Sequence, residues 1–212
     1  CVANTHHFSS SWKFPFDPIH TRRQTFHSHT ELVTEVEMMY IRRKLRSCIH
    51  AELDISVIEI PFQHPHLSAL IIHPIKKEIA LSSILKKISH MLIDDCMALL
   101  EDTDVALLMP KLKFHSHVNI TSQLEESEII KISHQRSEKL RLTEFTQAVS
   151  MSLNESGINT KFSSRVAVTS KDDQTPPPFS THKINRPFIM IIYHSHHRCP
   201  LLVSAIHHPI RR

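Results

Sequence analysis

Apolar residues in this chain fall mostly in short runs of β type, with few helical stripes. Ser56-Val57-Ile58-Glu59-Ile60-Pro61-Phe62 and Leu67 to Ile72 are β-rich runs on either side of the turn-like Gln63-His64-Pro65-His66. Val105 to Leu108 predicts a strand that ends by Pro110. Phe188 to Tyr193 is continuously apolar, the pattern of a strand buried on both faces. Helical periodicity is clearest from Ile79 to Leu100, where Ile79, Leu81, Ile84, Leu85, Ile88, Met91, Leu92 and Ile93 recur near 3.6 residues and predict two helices in succession. Thr121 to Ile130 predicts a further short helix, capped by Thr121 or Ser122, with Glu125 and Glu126 in its first turns. Gly157 to Thr181 has little periodicity, three consecutive prolines and several charges, and reads as an exposed loop. No repeat or linker divides residues 1–212, so the reading is one α+β domain with mainly antiparallel sheets.

Composition narrows the class. A chain of 212 residues with 41% hydrophobic residues suffices for one packed domain. A net charge of +4 is too weak to imply a nucleic-acid partner. No apolar run approaches the roughly 20 residues of a membrane helix, so no membrane partner is expected. Cys1, Cys48, Cys96 and Cys199 lack paired spacing and read as isolated thiols. The chain has only one glycine, Gly157, so turns that need positive φ fall to Asn, Asp, His or Ser, at about 1–3 kcal/mol per strained site. The opening Cys1-Val2-Ala3-Asn4 reads as mid-strand, which suggests a fragment or processed product and leaves the compartment open.

Candidate chemistry is sparse. His27-x-His29, His64-x-His66, His115-x-His117 and His194-Ser195-His196-His197 place imidazoles at i and i+2, but no Cys or carboxylate stands at ligand spacing. They read as surface and turn histidines, with no metal and no cofactor expected. Lys76, Lys77, Lys86 and Lys87, with Arg42, Arg43, Lys44 and Arg46, offer weak basic patches for a heparin-like polysaccharide. Asn119-Ile120-Thr121 is a possible glycosylation site. Asn154-Glu155-Ser156 falls where a buried strand is expected and reads as unused. There is no Gly-x-Ser-x-Gly elbow, phosphate loop, dinucleotide fingerprint or His-Glu-x-x-His, and a single glycine rules out most Gly-dependent sites, so the chain is not read as an enzyme.

A set of ordered blocks resembles the serpins. Val2-Ala3-Asn4-Thr5 through Phe8, Trp12, Phe14, Phe16, Asp17, Pro18, Thr21 and Phe26 is similar to that family's segment from strand 3A into the sheet-C hairpin. Val36, Met38 and Met39 match the next strand, with Glu37 in place of the usual proline. Glu52-Leu53-Asp54, Val57 to Phe62, then Leu67 to Ile72 and Pro74 resemble sheet B, and Met109-Pro110-Lys111-Leu112-Lys113-Phe114 matches a Leu-Pro-Lys-Phe-Lys strand. Near the end stand Pro176-Pro177-Pro178-Phe179, Asn185-Arg186-Pro187-Phe188-Ile189 and Leu201-Leu202-Val203 with Pro209. Ser204-Ala205 replaces the usual Gly-Arg, and Ser195-His196-His197-Arg198 a turn that commonly carries Thr-Gly. The resemblance implies a serpin-like fold holding the C-terminal part of sheet A and sheets B and C, a few helices and an exposed reactive loop, with the N-terminal helical half missing. It also implies a single incomplete domain over 1–212.

The same resemblance implies a serine-type endopeptidase inhibitor, secreted into the extracellular space, whose partner is a trypsin-like serine protease. Glu155, Ser156, Gly157, Ile158, Thr160 and Phe162 would form the hinge. Family spacing puts the reactive bond at Lys171-Asp172, with Arg165 a weaker bait. Inhibitory relatives have Thr or Ser after the glycine, then mostly Ala; here the run is Ile158-Asn159-Thr160-Lys161-Phe162-Ser163-Ser164. Ile158, Thr160, Phe162 and Ser164 would share one strand face. Inserting Ile and Phe where Ala normally passes costs roughly 1–3 kcal/mol each through overpacking. The expectation is weak or no inhibition. The alternative is a non-inhibitory serpin-fold binding or carrier protein, or the inactive product of a decaying gene.

Overall fold

The computed structural model describes residues 8–28, 33–119, 146–159 and 180–209. The helix predicted at 121–130, the opening Cys1–Asn4 and most of the 157–181 segment lie outside them. The described elements run β1 (Ser9–Ser11), β2 (Arg22–His27), β3 (Val33–His50), β4 (Ile55–Pro61), β5 (Leu67–Pro74), α1 (Leu81–Leu85), α2 (His90–Leu99), β6 (Glu101–Pro110), β7 (Leu112–Asn119), β8 (Thr146–Asn154), β9 (Gly157–Asn159), β10 (Ser180–Lys183), β11 (Phe188–His194) and β12 (Cys199–Ile206). The α+β reading holds. The two helices predicted between Ile79 and Leu100 are α1 and α2. Ser89 caps α2 by accepting the Leu92 N–H, which is why the periodic stretch restarts there.

The strands form two sheets. The smaller has the order β1-β9-β8-β7. The larger runs β10-β6-β3-β4-β5-β11-β12, with β2 also paired to β3. Pairing is antiparallel except that β10 lies parallel to β6. The chain can run parallel there because more than 60 residues separate the two strands, ample for a crossover.

β3 is the longest element, at 18 residues. It pairs with β2 through Val33–Met38, with β6 through Met38–Ser47 and with β4 through Arg46–His50. The resemblance marked only Val36 to Met39 of it, and the charges from Arg42 to Lys44, at exposed positions in its middle, hide the rest from the apolar pattern.

Two apolar clusters flank the central strands. Ile58, Ile60, Ile71, Phe188, Met190 and Ile192 point into one, shared with Trp12, Met151 and Leu153 of the smaller sheet. Val57, Leu70, Ile72, Ile189, Ile191 and Tyr193 point into the other, closed by Leu81, Ile84 and Ile93 of the helices. β11 is therefore buried on both faces, as its unbroken apolar run predicts. The smaller sheet is tied to the larger through the Trp12–Phe62 bridge, with Lys13 N–H donating to Pro61 C=O and Gln63 N–H to Ser11 C=O, each at 2.9 Å.

Glycine scarcity has a local cost. Among described non-glycine residues, Asp54 (φ 49°) and Arg198 (φ 50°) adopt left-handed backbone. Asp54 is of the expected type, but Arg198 is not: it occupies the turn where the resemblance expects Thr-Gly. Its guanidinium is held by Asp94 at 2.9 Å, which helps retain the conformation.

His73 of β5 is buried, and its Nε2 has no partner among the described residues. Burial, with Arg186 and His182 nearby, lowers its pKa to about 4. The folded state binds this proton less well than the unfolded chain does, so stability is lost as pH falls below the usual 6.5 and until about 4. Urea titrations should show a loss of up to about 3 kcal/mol across that window, and His73→Phe should remove most of the slope. An unchanged slope would reject the assignment.

Candidate functional site

Among the described residues, the segment joining β8 to β9 gathers the side-chain hydrogen bonds of greatest sequence separation. β8 ends at Asn154, whose Oδ1 accepts the Ser156 N–H at 3.0 Å and tightens the turn. Asn154 is exposed at the strand end rather than buried as expected, because the turn begins there. Gly157 opens β9 with φ +153°. A Cβ on it would lie 2.2 Å from the Ser10 carbonyl oxygen and 2.7 Å from Ser11 Cα. Only glycine lets the chain pass this close to β1.

β9 then lies between two neighbours. Ser9, Ser10 and Ser11 oppose Asn159, Ile158 and Gly157 on one side, and Ser152, Leu153 and Asn154 oppose the same residues on the other. Ile158 is buried in the first apolar cluster. The exposed-loop reading is thus corrected at both ends: Gly157–Asn159 is a strand, and Ser180 and Thr181 belong to β10. Backbone partners on both sides of β9, and a parallel partner for β10, override the weak local pattern.

Trp12 holds the turn from the β1 side. Its backbone N–H donates to Ser156 C=O at 2.9 Å, and its indole Nε1–H donates to Asn154 C=O at 3.0 Å. The ring stacks on Phe62, centroids 4.6 Å apart, and meets Phe16 edge-on at 6.3 Å. Phe16 N–H donates to Glu155 C=O at 2.9 Å. The Glu155 carboxylate meets Lys111 Nζ at 2.8 Å and accepts from the Thr21 hydroxyl at 2.8 Å. Lys111 also lies 3.6 Å from Glu37. Partial burial pushes the Glu155 carboxyl up, but hydrogen bonds from Lys111, its own backbone and Thr21, with the Lys111 charge, together hold it below the ordinary range.

Glu155, Ser156, Gly157 and Ile158, the expected hinge residues, thus lie together in the β8–β9 turn and the first residues of β9. Thr160, Phe162, Arg165, Lys171 and Asp172 lie outside the described residues. Asn119 ends β7 in an exposed position. The roles of Trp12, Thr21 and Lys111 were missed, since nothing local ties Trp12 to a residue 142 positions away or Thr21 to one 134 away. The available signal was that Trp12 is the sole tryptophan.

The basic patches are partly committed elsewhere. Arg43 sits 4.5 Å over the Phe14 ring, Arg46 is paired to Glu59 at 2.8 Å, and Lys76 to Asp54 at 2.6 Å. Lys77, Lys86 and Lys87 are exposed. An open cleft of about 340 Å³ is lined by Lys13, Lys44 and Arg46 but also by Glu59 and Asp102, so its charge is mixed.

Comparison with known proteins agrees with this geometry. A family model described as serpin (serine protease inhibitor) matches residues 1–209. Mouse (Mus musculus) antithrombin-III is 25% identical over 202 residues, covering 90% of this chain and 43% of that protein. Mouse plasminogen activator inhibitor 1 is 23% identical over 222 residues, covering 98% and 54%. The chain thus spans about half the length of these relatives. Among solved structures, a serpin from the trematode Schistosoma haematobium matches with TM-score 0.80 at 20% identity, covering 96% of this chain and 55% of that one. Human thyroxine-binding globulin complexed with thyroxine matches with TM-score 0.78 at 21% identity, covering 96% and 54%. At these identities the structures establish fold.

Gly157→Ala should expel β9. Strain of about 1–3 kcal/mol, added to the clash, should cut hydrogen-exchange protection of the Trp12 and Ile158 amides by tenfold or more while β11 amides keep theirs. The Glu155 ion pair contributes above the unfolded pKa, near 4.5, and is lost as pH falls through the lower folded value. Fluorescence of Trp12 should therefore report hinge loosening below about pH 4.5. Glu155→Gln should abolish that acid transition, and an unaltered one would remove Glu155 as its source.

Proposed function

Because the chain belongs to the serpin family of serine protease inhibitors, we propose that its working part is the segment tethered at Gly157. That segment is offered to a trypsin-like serine protease and cleaved at Lys171-Asp172 as a substrate, with weak or no trapping. In this reading the chemistry is the protease's own: its serine attacks the Lys171 carbonyl, and the acidic pocket of a trypsin-like enzyme receives the Lys171 ammonium. The chain contributes the bait and a sheet able to take up the cut segment. An extracellular setting goes with this reading and with an exposed Asn119 sequon.

The observation that carries the proposal is the three-residue pairing of β9 with both β1 and β8. A gap that accepts the chain immediately after the hinge is what insertion of a cleaved loop requires. Ile158 is already accommodated there. In a continued strand Thr160 and Phe162 would follow on the same face, and Phe162 at a position that favours alanine would cost roughly 1–3 kcal/mol. If about 3 kcal/mol appears in the insertion barrier, insertion slows more than a hundredfold, and hydrolysis of the acyl-enzyme wins.

A second reading keeps the fold and drops inhibition altogether, as a binding or carrier protein. The run Ile158 to Phe162, without the small residues of inhibitory hinges, favours it, and the likeness in fold to a thyroxine-binding globulin supports it.

Incubation of the full chain with trypsin separates the readings. The expected result is rapid cleavage after Lys171 with no covalent adduct on a denaturing gel, and Lys171→Ala should slow the first cut and shift it to Arg165. A stable adduct would establish inhibition and overturn the substrate reading. A Lys171→Ala chain cut as fast and at the same place would remove Lys171 as the bait.

A further inference from the structure

Two turns far apart in sequence bring five of the nineteen histidines to one end of the larger sheet. His64 and His66 lie in the turn between β4 and β5. His194 closes β11, and His196 and His197 follow in its turn into β12. The two turns are held together by backbone. β5 and β11 are neighbours with Leu67 opposite His194, and Ser195 donates to the His66 carbonyl from its N–H at 2.9 Å and from its hydroxyl at 3.3 Å.

The rings crowd. His66 and His196 have centroids 5.4 Å apart, His196 and His197 5.0 Å, and His194 and His197 4.5 Å. Two imidazoles sharing a zinc ion through nitrogens at about 2.0–2.1 Å, at a tetrahedral angle, have centroids about 5 Å apart. The spacing around His196 is therefore that of rings able to share an ion.

Hydrogen bonding divides the five. His64 Nδ1 accepts the His66 N–H at 3.3 Å, and His194 Nδ1 accepts the His197 N–H at 3.2 Å. Each bond keeps the neutral ring's proton on Nε2, which leaves neither nitrogen with a lone pair to offer. No described hydrogen bond engages a ring nitrogen of His66, His196 or His197, and all three side chains are exposed. The nearby cation Arg198 is neutralised by Asp94 at 2.9 Å. In the present rotamers no three of these groups converge on a common point. Convergence therefore requires side-chain rotation, and exposed rings reach other staggered positions readily.

We propose that His66, His196 and His197 form a surface site for a divalent transition-metal ion of the zinc and copper class, bridging the β4–β5 and β11–β12 turns. An all-imidazole set suits such ions and discriminates against calcium and magnesium, which take oxygen ligands. Three protein ligands leave a coordination position open to water or to a side chain of another molecule.

Calorimetric titration of the tag-free full chain with zinc chloride at pH 7.5 should give one saturable site, with no heat from calcium or magnesium. His66→Gln and His196→Gln should each weaken it by about tenfold or more. His64→Gln, whose amide oxygen can still accept the His66 N–H, should bind as the wild type does. Copper(II) loaded at one equivalent should show nitrogen hyperfine structure in electron paramagnetic resonance that simplifies in His196→Gln. Absence of saturable zinc binding, or undiminished binding in both His66→Gln and His196→Gln, overturns the site. A His64→Gln loss as large as that of His66→Gln overturns the ligand assignment.

Discussion

The two hydrogen bonds that Trp12 sends to the Asn154 and Ser156 carbonyls, with its ring packed flat on Phe62, are the contact on which the arrangement turns. The indole is fully buried, so its N–H must find a partner or cost about 1–3 kcal/mol. The carbonyls of a tight turn would otherwise lack partners too. Each need answers the other. The same ring belongs to the apolar cluster between the sheets, so hinge geometry and core packing are set together.

Electrostatics reinforce this at Glu155. A half-buried carboxylate is disfavoured by desolvation, yet Lys111 and Thr21 at 2.8 Å each more than compensate. Lys111 immediately precedes β7 and Thr21 immediately precedes β2, so one carboxylate ties the turn to the entry of both strands. Glu37, in place of the family's proline, extends the network by its contact with Lys111. Gly157 completes the hinge by what it lacks, since any side chain would collide with Ser10 and Ser11.

The turn at residues 154–157 is therefore held by several contacts, and the short β9 is paired on both sides. The proposed weak trapping follows from which side chains come next. Ile158 enters the core beside Leu153, and the proposed weak trapping depends on the aromatic that follows at 162 in the sequence. The histidine cluster belongs to other elements and depends on a different constraint, the β5–β11 register and the Ser195 bonds to His66.

Strands and helices whose burial is set by their own pattern were legible in the chain. Val57 to Ile60, Leu67 to Ile72 and Phe188 to Tyr193 announce themselves because each strand meets apolar cover on a face its neighbouring residues already define. The 3.6 spacing announces α1 and α2 for the same reason. Family likeness drew attention to Glu155 through Ile158, but nothing in their local chemistry announces the turn they make into β9. The rest needed the third dimension. β9 is a strand because distant β1 as well as adjacent β8 pairs with it, and β10 because distant β6 does. β3 continues through Arg42 to Lys44 because β6 pairs with it, and His64 meets His194 because β5 and β11 are adjacent. The single-residue pattern records which side chains prefer water; it carries no record of which distant backbone lies within 3 Å of a given carbonyl.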